Sequence, residues 1–466
     1  MTQIFLASTL YGAMTVTAAI DAGRFGPRGL RRRILLVSNN AAIPELVDPL
    51  DAAPGFDTIA GRYDEIISWN EEIAPLHPSG WMPRTEDLVV WERFLRGRWN
   101  LGEPGAEPLE LAVETIAAGP ARALTSIFSD ALITVYAEGL MSYGPTREGL
   151  PDGVGTRITR LLHLDLVPGL TPMLLSEHGV APETIPDEAF VDVLDKMSGA
   201  LSPLLGSVGE LENPALIVGQ YLAALEILTA QEEDELHVAM LRGVVARGHT
   251  TVLFKPHPAS PVRATEHLTA EAVRLGAELL VIDQPVPAES WCAKVRPSLI
   301  VGSFSTALVT ARHFYGIPAA TVGTRNLLKV IAPYQNSNRV PVTIVDATLP
   351  HLAEDGTLSE PVLDDVAALT ALLTAVGYAM RAAFLPDRRK EAEAWLAEHG
   401  TGPLSRYFKK RRLSSLGLPG GLPPAAARKA TLLSAALPGG SRRRRLATLA
   451  ATRLPGSPLR PAGEDD

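Results

Sequence analysis

The chain has 466 residues, 46% of them apolar and 20% charged, a globular composition that excludes an intrinsically disordered or fibrous protein. A single cysteine, Cys292, excludes an internal disulfide, and no Cys/His cluster has the spacing of a structural zinc site. The net charge of −9 joins an acidic body to a basic end: from Thr401 onward 13 Lys and Arg stand against 3 acidic residues.

In chain order, Gln3–Ala7 reads as a strand, followed by a polar loop and a helix. The start resembles a signal peptide only superficially, because it lacks a basic leader and Ser8, Thr9, Thr15 and Thr17 interrupt its apolar run. No run of about 18 purely apolar residues occurs, so a membrane span is not expected and the expected location is the cytoplasm. Further strands are predicted at Ile34–Ser38, Glu65–Ser68 and Ala131–Tyr136. The section "WNEEIAPLHPSGWMP" (Trp69–Pro83) has no regular period and reads as a long surface loop. "LDLVPGLTPMLLSEHGVAPETIP", broken by Pro and Gly, suits a crossover between domains, and an amphipathic helix over Asp187–Leu205 leads into a second unit.

That unit alternates strands and helices. Strands are predicted at Ala215–Gly219, Thr251–Lys255, Glu278–Asp283, Ser298–Ser303 and Ala319–Gly323; helices at Leu222–Arg247, Val262–Leu275, Glu289–Lys294 and Thr306–Tyr315. Continuous Val/Ile/Leu strands separated by helices mark a parallel sheet covered on both faces. The expected class is therefore α/β, with two Rossmann-like domains facing each other across a cleft. The division is 1–165 for the N-terminal Rossmann-like domain, 166–210 for the crossover, 211–345 for the C-terminal Rossmann-like domain, 346–400 for a helical segment and 401–466 for a basic, disordered tail. The tail carries "YFKKRR" (Tyr407–Arg412) and "RRRR" (Arg442–Arg445). It is either a solvated extension or a contact for an anionic membrane surface or polyanionic polymer, where each basic residue adds about 1 kcal/mol. Nucleic acid is disfavoured by the acidic body and the lack of a recognition module.

Open parallel sheets bind ligands beyond the carboxyl ends of their strands. Three polar clusters fall there. The strand ending at Tyr136 delivers Glu138 and Gly139. The strand Thr251–Lys255 runs into Pro256, His257 and Pro258, whose prolines hold the imidazole on an extended backbone, with Lys255 adding charge. "GSFST" (Gly302–Thr306) opens a helix, where unpaired amides and the hydroxyls of Ser303, Ser305 and Thr306 attract phosphate; simple N-capping by Ser303 or Ser305 explains the same residues.

Together "YAEGLMSYGP", "FKPHP" and "GSFSTAL" resemble, in order and domain placement, the motifs of the bacterial sialyltransferase group, in particular the α-2,8-polysialyltransferase-like family. The resemblance spans roughly residues 1–340 and implies a GT-B fold and metal-independent, inverting transfer of sialic acid from CMP-sialate to a glycan acceptor in cell-surface polysaccharide synthesis, with no cofactor. By that resemblance His257, Ser303 and Ser305 would hold the CMP phosphate; Glu289, in "PVPAE" at the end of another strand of that sheet, is a candidate for the ribose hydroxyls, and Gln220, at the end of the first C-terminal strand, for a further donor contact. In the motif the base is the first of two acids. Ala137 stands there in this chain, so Glu138 is the expected base, with Asp130 and Glu72 as alternatives. Two other readings stay open: a GT-B transferase with a different donor, and a degenerate transferase acting as a nucleotide- or glycan-binding scaffold.

Overall fold

The computed structural model describes residues 1–200, 211–257, 265–282 and 284–423. Seven parallel strands form the first sheet: β1 (Thr2–Ala7), β2 (Arg32–Val37), β3 (Glu65–Ser68), β4 (Leu109–Val113), β5 (Leu132–Ala137), β6 (Ile158–Leu164) and β7 (Pro182–Ile185). Their order is β3-β2-β1-β4-β5-β6-β7. The second sheet contains β8 (Ala215–Val218), β9 (Thr251–Lys255), β10 (Glu278–Val281), β11 (Leu299–Gly302), β12 (Ala319–Thr321), β13 (His351–Leu352) and β14 (Leu358–Ser359), ordered β10-β9-β8-β11-β12-β13-β14. Only β14, paired with β13, runs antiparallel. Each sheet reverses its order once, between β1 and β4 and between β8 and β11, so each has one topological switch point of the Rossmann type. This is the GT-B arrangement of two such domains.

The central strands are covered on both faces, which is why β1 and β4 are buried along their length and mostly apolar, with Gln3 and Glu110 as buried polar exceptions that pair with each other. One apolar core runs from the inner face of the first sheet to the inner face of the second, while two separate cores back the outer faces. The crossover helix Asp187–Ala200 fills the shared core, packing on the Leu10–Asp21 helix of the first domain and the Ala288–Val295 helix of the second. Phe190 links the two domains through rings, 5.2 Å from Tyr11 and 5.5 Å from Phe314 of the Thr306–Tyr315 helix. Ten of the twelve residues in Leu10–Asp21 are buried, and its small residues Gly12, Ala13, Ala18 and Ala19 permit close packing on both sides.

Several expectations are corrected. The section read as a surface loop begins with the helix Trp69–Ile73, and Trp69 is fully buried against Trp99. The helix Leu88–Arg98 and the strand β4 follow before β5. The first domain continues beyond residue 165, since β7 pairs with β6 inside the segment read as crossover. The long helix of the second unit starts at Ala230, behind a capping box formed by Thr229 and Glu232, because those two residues satisfy its first amides. The segment 346–400 contributes β13 and β14 to the second sheet as well as helices. Residues 401–423, read as part of a disordered tail, are folded: Tyr407 is fully buried and Lys410–Leu416 is a helix. Pro258, residues 201–210 and the Arg442–Arg445 run lie outside the described residues.

Candidate active site

The switch point of the first sheet is built by the residues that follow β1, β4 and β5. After β1, Ser8 and Thr9 turn the chain into the Leu10–Asp21 helix. Thr9 caps that helix, accepting from the Gly12 amide at 2.8 Å while its hydroxyl donates to Glu138 Oε2 at 2.9 Å. After β4 comes Glu114, buried, whose Oε1 accepts from the Ser8 amide at 2.9 Å and from the Ser8 hydroxyl. The Tyr136 hydroxyl of β5 lies 3.4 Å from Glu114 Oε2 and donates to the Leu6 carbonyl. Glu138 follows β5 and is half-buried.

These two carboxylates converge. A Cβ placed on Gly12 would lie 2.6 Å from Glu114 Oε2 and 2.7 Å from Glu138 Oε2. Burial pushes the Glu114 carboxyl up to about 8, with the neighbouring Glu138 charge adding to the shift and the Ser8 hydrogen bonds opposing it. Burial also raises Glu138, against the Thr9 hydrogen bond. The end of the Leu10–Asp21 helix beside them favours negative charge. A small cavity of about 90 Å³ opens next to Glu114, lined by Ser8, Asn40, Thr115 and Gly119 among others.

In the second domain the loops after β8, β9 and β11 meet. His257 stacks on Tyr221, ring centroids 4.2 Å apart and planes 16° from parallel. Burial, then the Lys255 charge, pushes the imidazole down to about 4, so it is neutral at physiological pH. Lys255, buried at the end of β9, donates to the Gln284 carbonyl at 3.0 Å. Gln220, following β8, spans the switch point and accepts from the Phe304 amide at 2.8 Å. Gly302 ends β11, and Ser305 caps the Thr306–Tyr315 helix by accepting from the Ala307 amide.

Two placements differ from expectation. The Ser303 hydroxyl is fully buried and donates to the Val322 carbonyl at 3.0 Å, so it ties β11 to the segment after β12 rather than facing the helix end. Glu289 lies in the first turn of the Ala288–Val295 helix, not at a strand end, and is buried facing the first domain. Burial pushes its carboxyl up to about 7, and the Glu138 charge adds to this. Burial, then Glu289, raises Tyr11 as well, with Glu138 contributing further.

The alternative bases are engaged elsewhere. Asp130 precedes β5, at the opposite sheet edge, and is held by Arg96 at 2.8 and 2.9 Å and by the Gly105 amide. Glu72 is held by Arg98 through both oxygens at 2.7 and 2.8 Å. The structure instead brings Glu114, Ser8, Thr9 and Gly12 to Glu138, and Tyr221 to His257. Reading "LELAV" (Leu109–Val113) as a strand would have exposed Glu114 by the same strand-end rule that singled out Glu138.

The two halves touch at the candidate motifs. The Leu140 amide lies 3.5 Å from Thr306 Oγ1, and a Cβ on Gly139 would sit 2.9 Å from that oxygen. The turn that presents Glu138 therefore rests on the helix end that opens with Ser305 and Thr306. The family model described as "Alpha-2,8-polysialyltransferase (POLYST)" matches residues 3–324. The chain belongs to the α-2,8-polysialyltransferase family. It is a sialyltransferase-like glycosyltransferase, working on a nucleotide-sugar donor and a glycan acceptor.

A search of curated proteins returns no match. Among solved structures, the chain resembles the GT-B domain of a sialyltransferase from Photobacterium damselae (13% identity, 74% of this chain and 96% of that one, TM-score 0.40). It also resembles an α/β-galactoside α-2,3-sialyltransferase from Photobacterium phosphoreum (10%, 74% and 95%, 0.40). A UDP-N-acetylglucosamine 2-epimerase matches at 13% identity over 89% and 94% of the two chains, with a TM-score of 0.43. The fold assignment rests on the two sheet orders and the family, not on these distant likenesses. Among the described residues no group of three or more His, Cys, Asp or Glu side chains is placed to hold a metal ion, and no helix is long and apolar enough to cross a membrane.

Proposed function

We propose that this polysialyltransferase-family protein moves a sialic acid, or a related ulosonic acid, from its CMP-activated form to a glycan acceptor, inverting the anomeric carbon without a metal ion, in cell-surface polysaccharide synthesis. The observation that carries this reading is the contact of the Glu138–Gly139 turn with Thr306, which sets a candidate base against a candidate phosphate site. Glu138 takes the proton of the acceptor hydroxyl as its oxygen bonds to the anomeric carbon. The bond from that carbon to the phosphate oxygen breaks, and its electron pair leaves with CMP. Negative charge growing on the phosphate is met by the Thr306–Tyr315 helix end, the Ser305 and Thr306 hydroxyls, His257 and the Lys255 charge. Gly302 lets the backbone approach the phosphate. Glu289 is the candidate for the ribose hydroxyls and Gln220 for a further donor contact.

A different nucleotide donor is the second reading, favoured by the position of Glu289, turned toward Tyr11 and Glu138 rather than standing free at a strand end. The protein acts in the cytoplasm, and the basic residues beyond 423 bring it to the anionic inner face of the membrane.

Incubating purified protein with CMP-sialate and other activated sugars, with and without glycan acceptors, and following nucleotide release tests both readings. Acceptor-dependent CMP release is the expected result; turnover only with another donor supports the second reading. No turnover with any donor, alongside CMP binding, would leave the scaffold. His257→Ala is expected to weaken CMP binding roughly 10- to 100-fold, the range for losing a hydrogen bond to a charged group. Unchanged affinity would remove His257 from the phosphate site.

A further inference from the structure

The pair of carboxylates at the first switch point comes from two different strands, and Ala137 shows why that matters. β4 and β5 are parallel neighbours with Val113 opposite Val135, so Glu114 leaves the sheet level with Tyr136 and Glu138 leaves the same ends of the strands two residues further on. The Leu10–Asp21 helix crosses above them at a residue without a side chain, and one oxygen of each acid points at the place where its Cβ would be. Each acid has its own hydroxyl donor, Ser8 for Glu114 and Thr9 for Glu138, from consecutive residues of one turn. Glu114 is the more buried of the two, and Glu138 the one beside the Thr306 contact.

We propose that Glu114 is a positioning residue that shares a proton with Glu138, holding the base ionised and aimed at the acceptor in the role that a second acid adjacent in sequence would otherwise fill. This rests on Glu138 as base. The pair carries one proton and one negative charge: the proton resides on Glu114, deeper in the fold, and the charge on Glu138, beside the helix end. Two carboxylates that converge on one buried point resist a second ionisation. The acceptor proton goes to Glu138 during transfer and leaves to solvent with the products, while the Glu114 proton stays in place. The groups bearing on the pair are Ser8 and Tyr136 at Glu114, Thr9 at Glu138, and Tyr11 and Glu289 from the facing helices.

The test is the pH profile of kcat for Glu114→Gln, Glu138→Gln and Ser8→Ala, with CMP affinity and thermal unfolding measured alongside. Wild-type activity is expected to fall on the alkaline side near pH 8 as Glu114 loses its proton. Glu114→Gln, which mimics the protonated acid, should keep kcat near pH 7 within a few-fold and lose that alkaline fall. Ser8→Ala, which removes a hydrogen bond that stabilises ionised Glu114, should move the fall to higher pH. Glu138→Gln should lower kcat by on the order of 10²-fold or more at every pH, with CMP affinity unchanged. A Glu114→Gln profile that keeps the wild-type alkaline limb, with Glu138→Gln inactive, overturns the shared proton while leaving Glu138 as base. Full activity of Glu138→Gln overturns both. If Glu114→Gln does not fold, an unmoved limb in Ser8→Ala overturns the proposal on its own.

Discussion

His257 lies against the Tyr221 ring, half-buried, with the Lys255 ammonium close enough to oppose its protonation. Both effects act in one direction, and a neutral imidazole near pH 7 is the outcome. A bound phosphate reverses the balance, because an opposite charge within about 4–6 Å favours the imidazolium. Binding of CMP at pH 6 is therefore expected to draw up part of a proton. Calorimetry in buffers of different ionisation heat measures that uptake, which should vanish in His257→Ala. Proton uptake of equal size in the variant would assign it to another group. "FKPHP" is enough to locate His257 at a strand end. Its stacking partner comes from the loop after β8, 36 residues earlier, and only the pairing of β8 with β9 brings the two together.

At the level of elements, the Leu10–Asp21 helix and the strand β4 decide the geometry of the candidate base. Gly12 is buried in the first turn of that helix, where alanine is intrinsically favoured over glycine by about 1 kcal/mol. Local preference therefore predicts that Gly12→Ala stabilises the helix. The added methyl would instead meet two carboxylate oxygens at 2.6 and 2.7 Å, well inside ordinary contact, so one or both acids must move. Gly12→Ala is expected to keep the fold, as circular dichroism would report, and to lose at least about 10-fold in kcat, since small misplacements of reacting groups are costly. Wild-type turnover would show that the spacing of the pair is unimportant. The strand "LELAV" is short and carries a buried Glu110, a pattern that does not look like a central strand. Glu110 is accommodated because Gln3 and Arg160 reach it from β1 and β6.

Across the whole molecule, the end of the described chain returns to the second domain and closes it. Asp346 is fully buried and is held by Thr324 at 2.7 Å, Tyr407 at 2.9 Å, and Arg406 at 2.7 and 2.9 Å. Arg412 donates to the Ala379 and Met380 carbonyls, so part of the "YFKKRR" cluster predicted as a solvated contact is structural. Removing one partner of a buried ion pair costs about 3–5 kcal/mol. Ending the chain at Gly400 strips Asp346 of Arg406 and Tyr407 and is expected to lower the thermal midpoint by several degrees. Ending it at Pro423 should leave the midpoint unchanged, lower binding to anionic vesicles and preserve turnover on soluble acceptors. Equal vesicle binding by the Pro423 truncation would remove the basic residues beyond it from membrane contact, and an unchanged midpoint at Gly400 would contradict the structural role of Arg406.

What the sequence determined by itself is whatever depends on local pattern. Apolar runs alternating with helices required parallel sheets covered on both faces, and the strand-end rule placed Glu138, His257 and the Ser305–Thr306 helix end at sheet edges. The Pro-flanked histidine and the helix-opening hydroxyls are readable because a few neighbouring residues set their backbone. What only the tertiary structure decided depends on strand order and on contacts between distant segments. Ser8, Glu114 and Glu138 are separated by more than 100 residues at the extremes, and they meet because β1, β4 and β5 are adjacent in the sheet. Ser303 and Ser305 look alike in "GSFST", yet one hydroxyl is spent on the Val322 carbonyl and the other caps a helix, since β12 passes beside only the first. Ala137 gives the same lesson: no acid adjoins Glu138 in the chain, yet Glu114 from the neighbouring strand converges with it beside Gly12, because strand order and not sequence distance brings the two carboxylates together.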